Sequence, residues 1–350
     1  MVVFANLNTF RIIQSEEWRN YPFGYNGCFA ANCNNRLIIG GGSYLDGKST
    51  MKVFEEYDSW RHMFQAIMPL NHGRTGASAA YSRWHRKLII AGGTSTYLDD
   101  YTLYDLRDVE LLDIAPSYCP SSDSSSASRW IRWVPCKDKI PGIFGSKVEV
   151  FAVKDKIVLA DFEYNKLYEG RIVDGYDNVI INPTNSYTHR KEQETAQYYN
   201  TKFSAIPRTS IMWKGFPELL QARKNHSITV LGDRLLVCIG GHTVFDNKCV
   251  KTCEYFSYRS NTWNVGPELP FCLLQAQILP LEDQDENSSL RCIIVGGERD
   301  HVESRLLSLF DLEKGNITNF KDTLPKSLLL KYIKTKDSIN GTNNDVAIML

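Results

Sequence analysis

The chain has 350 residues, and its 40 Lys and Arg balance 40 Asp and Glu, so the formal net charge is zero at pH 7. Apolar residues make up 43% and charged residues 23%. This excludes a mainly disordered chain, because such chains combine few apolar residues with a large net charge. The balance also argues against a dedicated nucleic-acid binder, because there is no basic excess to displace counterions from phosphates.

The N-terminal residues and the cysteines predict an intracellular setting, either cytoplasmic or nuclear. The N-terminus lacks the basic region and long apolar run of a signal peptide. No stretch approaches the roughly 18 apolar residues of a membrane-spanning helix. The nine cysteines are odd in number, and their spacing matches no disulfide framework. We therefore expect reduced thiols that pack as small hydrophobic side chains.

An internal repeat dominates the sequence: a basic residue, an apolar run and a glycine pair occur together four times. In chain order these copies are 36–41, 87–93, 234–241 and 291–297. A copy without glycines lies at 156–161, and a sixth begins near 345. The first two copies start at residues 36 and 87, a spacing of 51 residues. Such self-similarity predicts an array of similar structural units.

Further landmarks follow each copy and predict β structure. An aromatic residue lies downstream in each of the first five units: Trp60, Trp130 or Trp133, Trp213, Trp263 and Phe320. A turn with a proline comes next, followed by an alternating apolar stretch such as 77–81 or 227–231. Alternation with a period of two predicts a strand. Each unit thus predicts four strands: a (alternating), b (ending in the glycines), c (such as 52–58) and d (with the Trp).

This pattern resembles the kelch-repeat β-propeller family over nearly the whole chain. The paired glycines and the downstream Trp recur in step, and Arg223-Lys-Asn-His226 matches the family's Arg-x-x-His start of strand a. The resemblance implies one all-β domain over residues 1–350, a six-bladed kelch-type β-propeller. The physics agrees, because a single four-stranded sheet cannot bury both faces and must stack against neighbours.

We expect the last blade to be closed by strands from both ends of the chain. Residues 328–334 would supply strand a and 346–350 strand b, whereas 10–14 resembles strand c and Trp18 marks strand d. Residues 2–6 have no place in this assignment.

Two insertions are predicted to lengthen the array, at about 115–129 and at 174–209. The first is rich in serine, which is typical of a surface loop. The second is long and polar, and it is also a candidate for partner binding.

The resemblance also implies a binding face, built from the b–c and d–a loops around the central channel. Tyr and Arg are favoured as anchors at protein interfaces. The predicted partner-binding residues are Tyr44, His72, Arg74, Tyr97, Arg223, Asn225, His242, Phe245, Arg299 and His301. Arg74 and Arg223 resemble the arginines with which some family members hold acidic peptides or a C-terminal carboxylate. The alternative for both is a structural role, with hydrogen bonds to neighbouring turns.

The sequence contains no recognisable catalytic or metal-binding motif. It has neither a Gly-x-Ser-x-Gly elbow nor a phosphate-binding Walker loop, and no two histidines have metal-ligand spacing. Cys249 and Cys253, with His242, are zinc candidates that lack a fourth ligand. We therefore predict no catalytic residue, no metal and no cofactor.

The leading prediction is a protein–protein interaction module, an adaptor or scaffold subunit of a larger complex that binds a peptide or protein on the loop face. A ubiquitin-ligase substrate receptor and a cytoskeletal scaffold both stay open. The alternative class is a kelch-fold enzyme acting on a sugar or small metabolite, with converging carboxylates, histidines or a metal at the channel mouth. RNA binding by the basic run 83–87 is weaker than its interpretation as a solvated hairpin turn.

Overall fold

The computed structural model describes most of the central repeats and both terminal strand pairs. The described residues are 2–6, 11–16, 26–33, 37–43, 50–52, 54–58, 63–66, 69–96, 103–114, 130–136, 139–140, 148–162, 166–177, 206–232, 234–281, 290–300, 302–304, 306–323, 333–335 and 345–349. These residues form strands and turns, and none of them lies in a helix. Accordingly, the described part of the chain contains no helix able to span a membrane.

The strands are short and follow one another closely along the chain. They are β1 (Val2–Asn6), β2 (Arg11–Glu16), β3 (Asn26–Asn32), β4 (Leu37–Ser43), β5 (Phe54–Asp58), β6 (Met63–Ala66), β7 (Ser78–Ser82), β8 (Lys87–Ala91), β9 (Thr94–Thr96), β10 (Leu103–Asp105), β11 (Val109–Ile114), β12 (Trp130–Pro135), β13 (Val148–Val153), β14 (Lys156–Asp161), β15 (Lys166–Asp177), β16 (Ile206–Gly215), β17 (Arg223–Lys224), β18 (Ser227–Leu231), β19 (Leu235–Ile239), β20 (His242–Thr243), β21 (Thr252–Ser257), β22 (Thr262–Glu268), β23 (Leu273–Leu274), β24 (Gln277–Pro280), β25 (Arg291–Val295), β26 (Glu298–Arg299), β27 (Val302–Glu303), β28 (Leu306–Asp311), β29 (Asn316–Thr323), β30 (Ile333–Thr335) and β31 (Asp345–Met349).

Within the described residues, six antiparallel sheets have four strands each. Five of them follow the chain in the predicted a–b–c–d order. They are sheet 1 (β3-β4-β5-β6), sheet 2 (β7-β8-β11-β12), sheet 3 (β13-β14-β15-β16), sheet 4 (β18-β19-β21-β22) and sheet 5 (β24-β25-β28-β29). The remaining short strands form small ribbons in the loops, β9 with β10, β17 with β20, and β23 with β26 and β27. The repeat in the sequence is therefore a repeated four-stranded sheet.

Sheet 6 combines strands from both ends of the chain in the order β30-β31-β1-β2. Strand β1 pairs with β31 from Val2↔Met349 to Asn6↔Asp345 and with β2 on its other edge. The predicted N-terminal assignment is therefore wrong. Residues 2–6 are the third strand, and the segment predicted as strand c, 10–14, lies largely in β2, which is the fourth. Trp18 lies outside the described residues.

Neighbouring sheets pack face to face through their first strands. Strand β3 contacts β7 and β30, β7 contacts β13, β13 contacts β18, and β18 contacts β24. The outer strands β29 and β2 also contact each other. Apolar clusters fill the spaces between sheets, and strand alternation sends Ile89 into the cluster with sheet 3 and Leu88 and Ile90 into the cluster with sheet 1. Strand b is buried on both faces, which is why it appears as an uninterrupted apolar run.

The glycine pairs end strand b where the backbone of the next sheet comes close. Gly240 and Gly241 have φ values of +69° and +97°, a left-handed region that glycine enters without a steric penalty. A Cβ on Gly240 would overlap the carbonyl oxygen of Leu273 in the connection to sheet 5. The N–H of Gly241 donates to that same oxygen at 2.8 Å. The paired glycines thus permit a direct backbone hydrogen bond between neighbouring units.

Of the two predicted insertions, only the second lies partly within the described residues. The segment 115–129 lies outside the described residues. Part of the 174–209 segment is strand, because β15 and β16 pair from Asp174↔Thr209 to Asp177↔Ile206. The remainder, 178–205, lies outside the described residues, so the extent of this insertion stays a prediction.

Candidate partner-binding surface on the loops of sheets 4 and 5

The b–c loops of sheets 4 and 5 are both tied to the segments that enter their sheets. In sheet 4, β20 pairs with β17, with Arg223 opposite Thr243. In sheet 5, β26 pairs with β23, with Leu273 opposite Arg299. These pairings bring the predicted b–c and d–a loops together at one end of the sheets, as expected for a binding face.

Arg223 does not face solvent on this surface, because its side chain is fully buried. Its guanidinium donates to the carbonyl oxygens of Gly240 at 3.1 Å and Thr252 at 2.7 Å and forms an ion pair with Glu254. The Glu254 carboxylate also accepts the N–H groups of Leu220 at 2.7 Å and Gln221 at 3.1 Å. The pair joins strands b and c to the incoming segment of sheet 4.

Arg74 repeats this arrangement in sheet 2. It is also fully buried, and it donates to the carbonyl oxygen of Gly92 at 3.1 Å and to Glu110 at 2.5 Å. Glu110 accepts the N–H groups of Asn71 at 2.9 Å and His72 at 3.3 Å. The two arginines predicted as contacts for an acidic partner are therefore buried, and their terminal guanidinium nitrogens serve internal acceptors, which agrees with the alternative, structural role.

In sheet 5, a serine stands at the position that the glutamate occupies in sheets 2 and 4. Ser308 stands opposite Ile294, as Glu254 stands opposite Cys238, so Ser308 takes the place of the glutamate. Arg299 from the loop donates to Ser308 Oγ at 2.8 Å and lies 4.5 Å over the Phe271 ring. Burial lowers the pKa of the Arg299 guanidinium. Arg299 was predicted as a partner contact, and this side chain is also in the interior.

Phe245, by contrast, is 96% exposed at the tip of the b–c loop of sheet 4. The loop around it is well hydrogen-bonded: Thr243 donates its N–H to the Lys248 carbonyl at 2.9 Å, and Thr243 Oγ1 accepts the Lys248 N–H at 2.9 Å. Hydrogen bonds from Lys248 and Thr243 lower the pKa of Asp246 to about 2. An exposed aromatic ring on an ordered turn loses little conformational freedom when it binds.

Cys272 joins this loop to the b–c loop of sheet 5. A disulfide links Cys249 to Cys272. The Cys272 N–H donates to Asp300 Oδ1 at 2.9 Å, and its carbonyl accepts the Asp300 N–H at 3.0 Å. The sheet 5 loop also exposes an apolar side chain, Val302. We call Val244, Phe245 and Val302, on these two joined loops, the blade 4–5 rim.

The disulfide corrects the expectation that all the cysteines are reduced. Cys238 and Cys253 are free thiols. Both lie close to the Arg223–Glu254 pair, where burial raises the pKa of Cys253 to about 12 and also raises the pKa of Cys238. Such buried thiols are poor nucleophiles at neutral pH. The bonded Cys249 is also not available to share a zinc ion with Cys253.

Reducing this disulfide should destabilise the protein measurably. The two cysteines are 23 residues apart, and closing a loop of this size contributes about 2–4 kcal/mol to the free energy of unfolding. We expect dithiothreitol to lower the melting temperature of the wild type, as followed by circular dichroism. The matched control is Cys249→Ala/Cys272→Ala, whose melting temperature dithiothreitol should leave unchanged. Equal shifts in both proteins would contradict a stabilising bond.

The other predicted partner residues fall into two groups. His72 is half-exposed, Asn225 accepts a side-chain hydrogen bond from Gln275 at 3.1 Å, and His242 lies in β20. Asn225 therefore contributes to the junction between two incoming segments. Tyr44, Tyr97 and His301 lie outside the described residues, so their predicted role stays a prediction.

The sequence reasoning missed Val302 and the Cys249–Cys272 bond. Val302 carried no signal, because a single aliphatic residue in a loop is indistinguishable from a core residue. The two cysteines come from different repeats, so only the folded contact between neighbouring units identifies them as a pair. Among the described residues, no group of three or more His, Cys, Asp or Glu side chains is placed to hold a metal ion.

The stacked four-stranded sheets define a β-propeller. Residues 222–270 match the family model for the kelch motif, and this segment contains all of sheet 4 together with the Arg223–Glu254 pair. The chain is thus an all-β kelch-type β-propeller. A search of curated proteins finds no significant match to the chain.

Proposed function

We propose that this propeller is an intracellular protein–protein interaction module, an adaptor or scaffold subunit without enzymatic activity, and that it binds a protein partner through the blade 4–5 rim. The observation that carries the proposal is the almost fully exposed Phe245 ring on a hydrogen-bonded loop. Aromatic side chains anchor many protein interfaces because they bury a large area and have few rotatable bonds. Val302, on the loop joined through Cys272, is a further exposed apolar side chain of the rim.

The proposal includes a closed ring of six blades. Six described sheets have four strands, and contacts run in series from sheet 6 through sheets 1 to 5. The contact between β29 of sheet 5 and β2 of sheet 6 supports closure of this series. A closed ring would leave no sheet without a neighbour and would hold the rim loops in a fixed relation.

The intracellular setting, cytoplasmic or nuclear, is also part of the proposal. Its support is that Cys238 and Cys253 are buried free thiols, which pack as small hydrophobic side chains. The Cys249–Cys272 bond weighs against this setting, since most intracellular thiols are kept reduced.

Replacing Phe245 should strongly reduce partner capture without unfolding the protein. We expect Phe245→Ala to reduce capture of the principal partner from native lysate at least tenfold, because truncating a central anchor typically costs about 2 kcal/mol or more of binding free energy. The measurement is quantitative mass spectrometry of proteins that co-purify with each variant. The matched control is Val265→Ala, which truncates an exposed apolar side chain on β22, outside the rim.

Equal capture by wild type and Phe245→Ala would contradict a role for the rim. Enrichment of no protein by the wild type would contradict the interaction module itself. Circular dichroism of both variants checks that neither substitution disturbs the fold.

A further inference from the structure

The hairpin turn between β7 and β8 exposes an aromatic ring between two arginines. The turn reads Arg83-Trp84-His85-Arg86, and Trp84 is 71% exposed. Arg83 and Arg86 are exposed as well. This turn lies at the opposite end of strand β8 from the glycine pair, and therefore on the other side of the propeller from the b–c loops. It is a second surface, separate from the blade 4–5 rim.

The turn is held against the neighbouring blade. The His85 ring nitrogen Nε2 lies 3.0 Å from the carbonyl oxygen of Asp155, in the turn between β13 and β14. The His85 N–H donates to Ser82 Oγ at 3.3 Å. Because His85 anchors the turn, Trp84 is presented from a defined backbone, which reduces the entropy that a partner must remove on binding.

The neighbouring turn adds further positive charge. Lys154 is exposed, and the side chain of Arg171 on β15 is 61% exposed. The Asp155 carboxylate lies 3.7 Å from Arg171, whereas Arg86 and Lys154 form no ion pair with any described residue. We name Arg83, Trp84, Arg86, Lys154 and Arg171 the cationic turn patch. Asp155 is the one carboxylate among the described residues of these two turns.

We propose that the cationic turn patch binds an acidic segment of a polypeptide, with carboxylates on either side of an apolar side chain. The apolar side chain would pack on Trp84, and the carboxylates would form charge-assisted hydrogen bonds with Arg83 and Arg86. An acidic partner thus meets exposed cations here, whereas Arg74 and Arg223 are buried. The inference does not depend on the rim proposed above.

The composition of the patch favours a polypeptide over a nucleic acid or a lipid surface. The chain as a whole is neutral, whereas binding to a phosphate backbone requires a basic excess along a stripe. The patch has one exposed ring, whereas single-stranded nucleic acids stack on successive aromatic side chains. Stable anchoring to a membrane needs a larger apolar face or several signals together. Trp and Arg side by side are the residue types most enriched at protein-interface anchors.

Selection from a random dodecapeptide display library tests the proposal. We expect the immobilised wild type to enrich peptides rich in Asp and Glu around an aromatic or aliphatic residue. The best peptide, labelled with fluorescein, is then titrated by fluorescence anisotropy. We expect Trp84→Ala and Arg86→Asp each to weaken binding at least tenfold, and added NaCl to weaken it further. Aspartate is chosen because Arg86 has φ of +53°, a conformation that Asp tolerates.

Two matched control variants distinguish peptide binding by the cationic turn patch from a general effect of substitution on the protein. Arg259→Asp removes an exposed arginine from sheet 4, and Phe245→Ala changes the rim; both should bind the peptide within twofold of wild type. Enriched peptides without acidic residues, the absence of any enrichment, or equal binding by Trp84→Ala would each overturn the proposal. So would Trp84-dependent binding of a 15-nucleotide uridine RNA, or of phosphatidylserine vesicles, that is tighter than that of the peptide.

Discussion

Replacing Arg223 with methionine should lower the free energy of unfolding by about 3–5 kcal/mol, because it leaves the Glu254 carboxylate buried without its partner. Glu254 is only 2% exposed, and the arginine also serves three carbonyl oxygens, those of Gln221, Gly240 and Thr252, which would lose this donor. Burying an unpaired charge is among the few mechanisms by which one substitution has an effect of this size. The measurement is denaturant unfolding followed by circular dichroism.

Two further variants decide whether the ion pair itself is responsible. Arg259→Met removes an exposed arginine from the same sheet and should change the free energy of unfolding by at most about 0.5 kcal/mol. Arg223→Met/Glu254→Leu removes both charges and should be more stable than Arg223→Met alone, since replacing both partners with apolar groups is often close to neutral. If Arg223→Met and Arg259→Met unfold alike, the pair does not stabilise the blade.

Replacing Gly240 with alanine should be nearly as destabilising, by about 3 kcal/mol or more. The left-handed conformation at φ +69° costs a non-glycine residue about 1–2 kcal/mol. The new Cβ would overlap the Leu273 carbonyl oxygen, and relieving that overlap breaks the hydrogen bond from Gly241, which costs about 1–3 kcal/mol. The same denaturant titration measures the change.

Gly215→Ala is the matched control for this substitution. No atom lies within 4 Å of a Cβ placed at Gly215, so the added methyl group meets open space. We expect a change of at most about 0.5 kcal/mol for this variant. A Gly240→Ala protein as stable as Gly215→Ala would show that the junction between sheets 4 and 5 can relax, and the close approach would then have no energetic role.

Much of the fold was accessible from the sequence because the repeat has physical causes. The glycine pairs mark backbone approach between units, and the apolar runs mark strands buried on both faces. The aromatic landmark of strand d is confirmed in sheet 4, where buried Trp263 donates from its indole N–H to the Pro217 carbonyl at 2.9 Å. Phe320 of β29 is likewise buried. These features recur in several repeats, and this recurrence distinguishes them from chance occurrences of the same residues.

The roles of individual loop residues were harder to infer. An arginine at the start of strand a has the same sequence signal whether it reaches solvent or turns inward. A second signal was present: Glu110 and Glu254 stand at equivalent positions of strand c in the two units that have this arginine. Where Leu273 replaces the arginine, Ser308 replaces the glutamate. Sheet 1 has a glutamate at the same position, Glu55 opposite Ile39, so this comparison of the repeats does not by itself identify the buried ion pair.

Exposure at the rim and at the cationic turn patch could be predicted only in part. The sequence predicts loop positions for Phe245 and the run 83–87, but an aromatic residue in a loop is as often packed inward as exposed. The orientation of Trp84 depends on His85 bonding to Asp155 of the next blade. Such contacts join residues of different repeats, and no local pattern records them.

The pairing of β1 with β31 has a consequence for biosynthesis. Roughly 340 residues separate Asn6 from Asp345, and ribosomes add about 5–20 residues per second, so β1 waits about 17–70 seconds for its partner strand. During that time one edge of β1 offers unpaired backbone groups to any other nascent strand. The five sheets formed within single repeats face no such delay. Molecular chaperones that shield the first residues of the chain would therefore raise the yield of folded protein more than those acting on the middle.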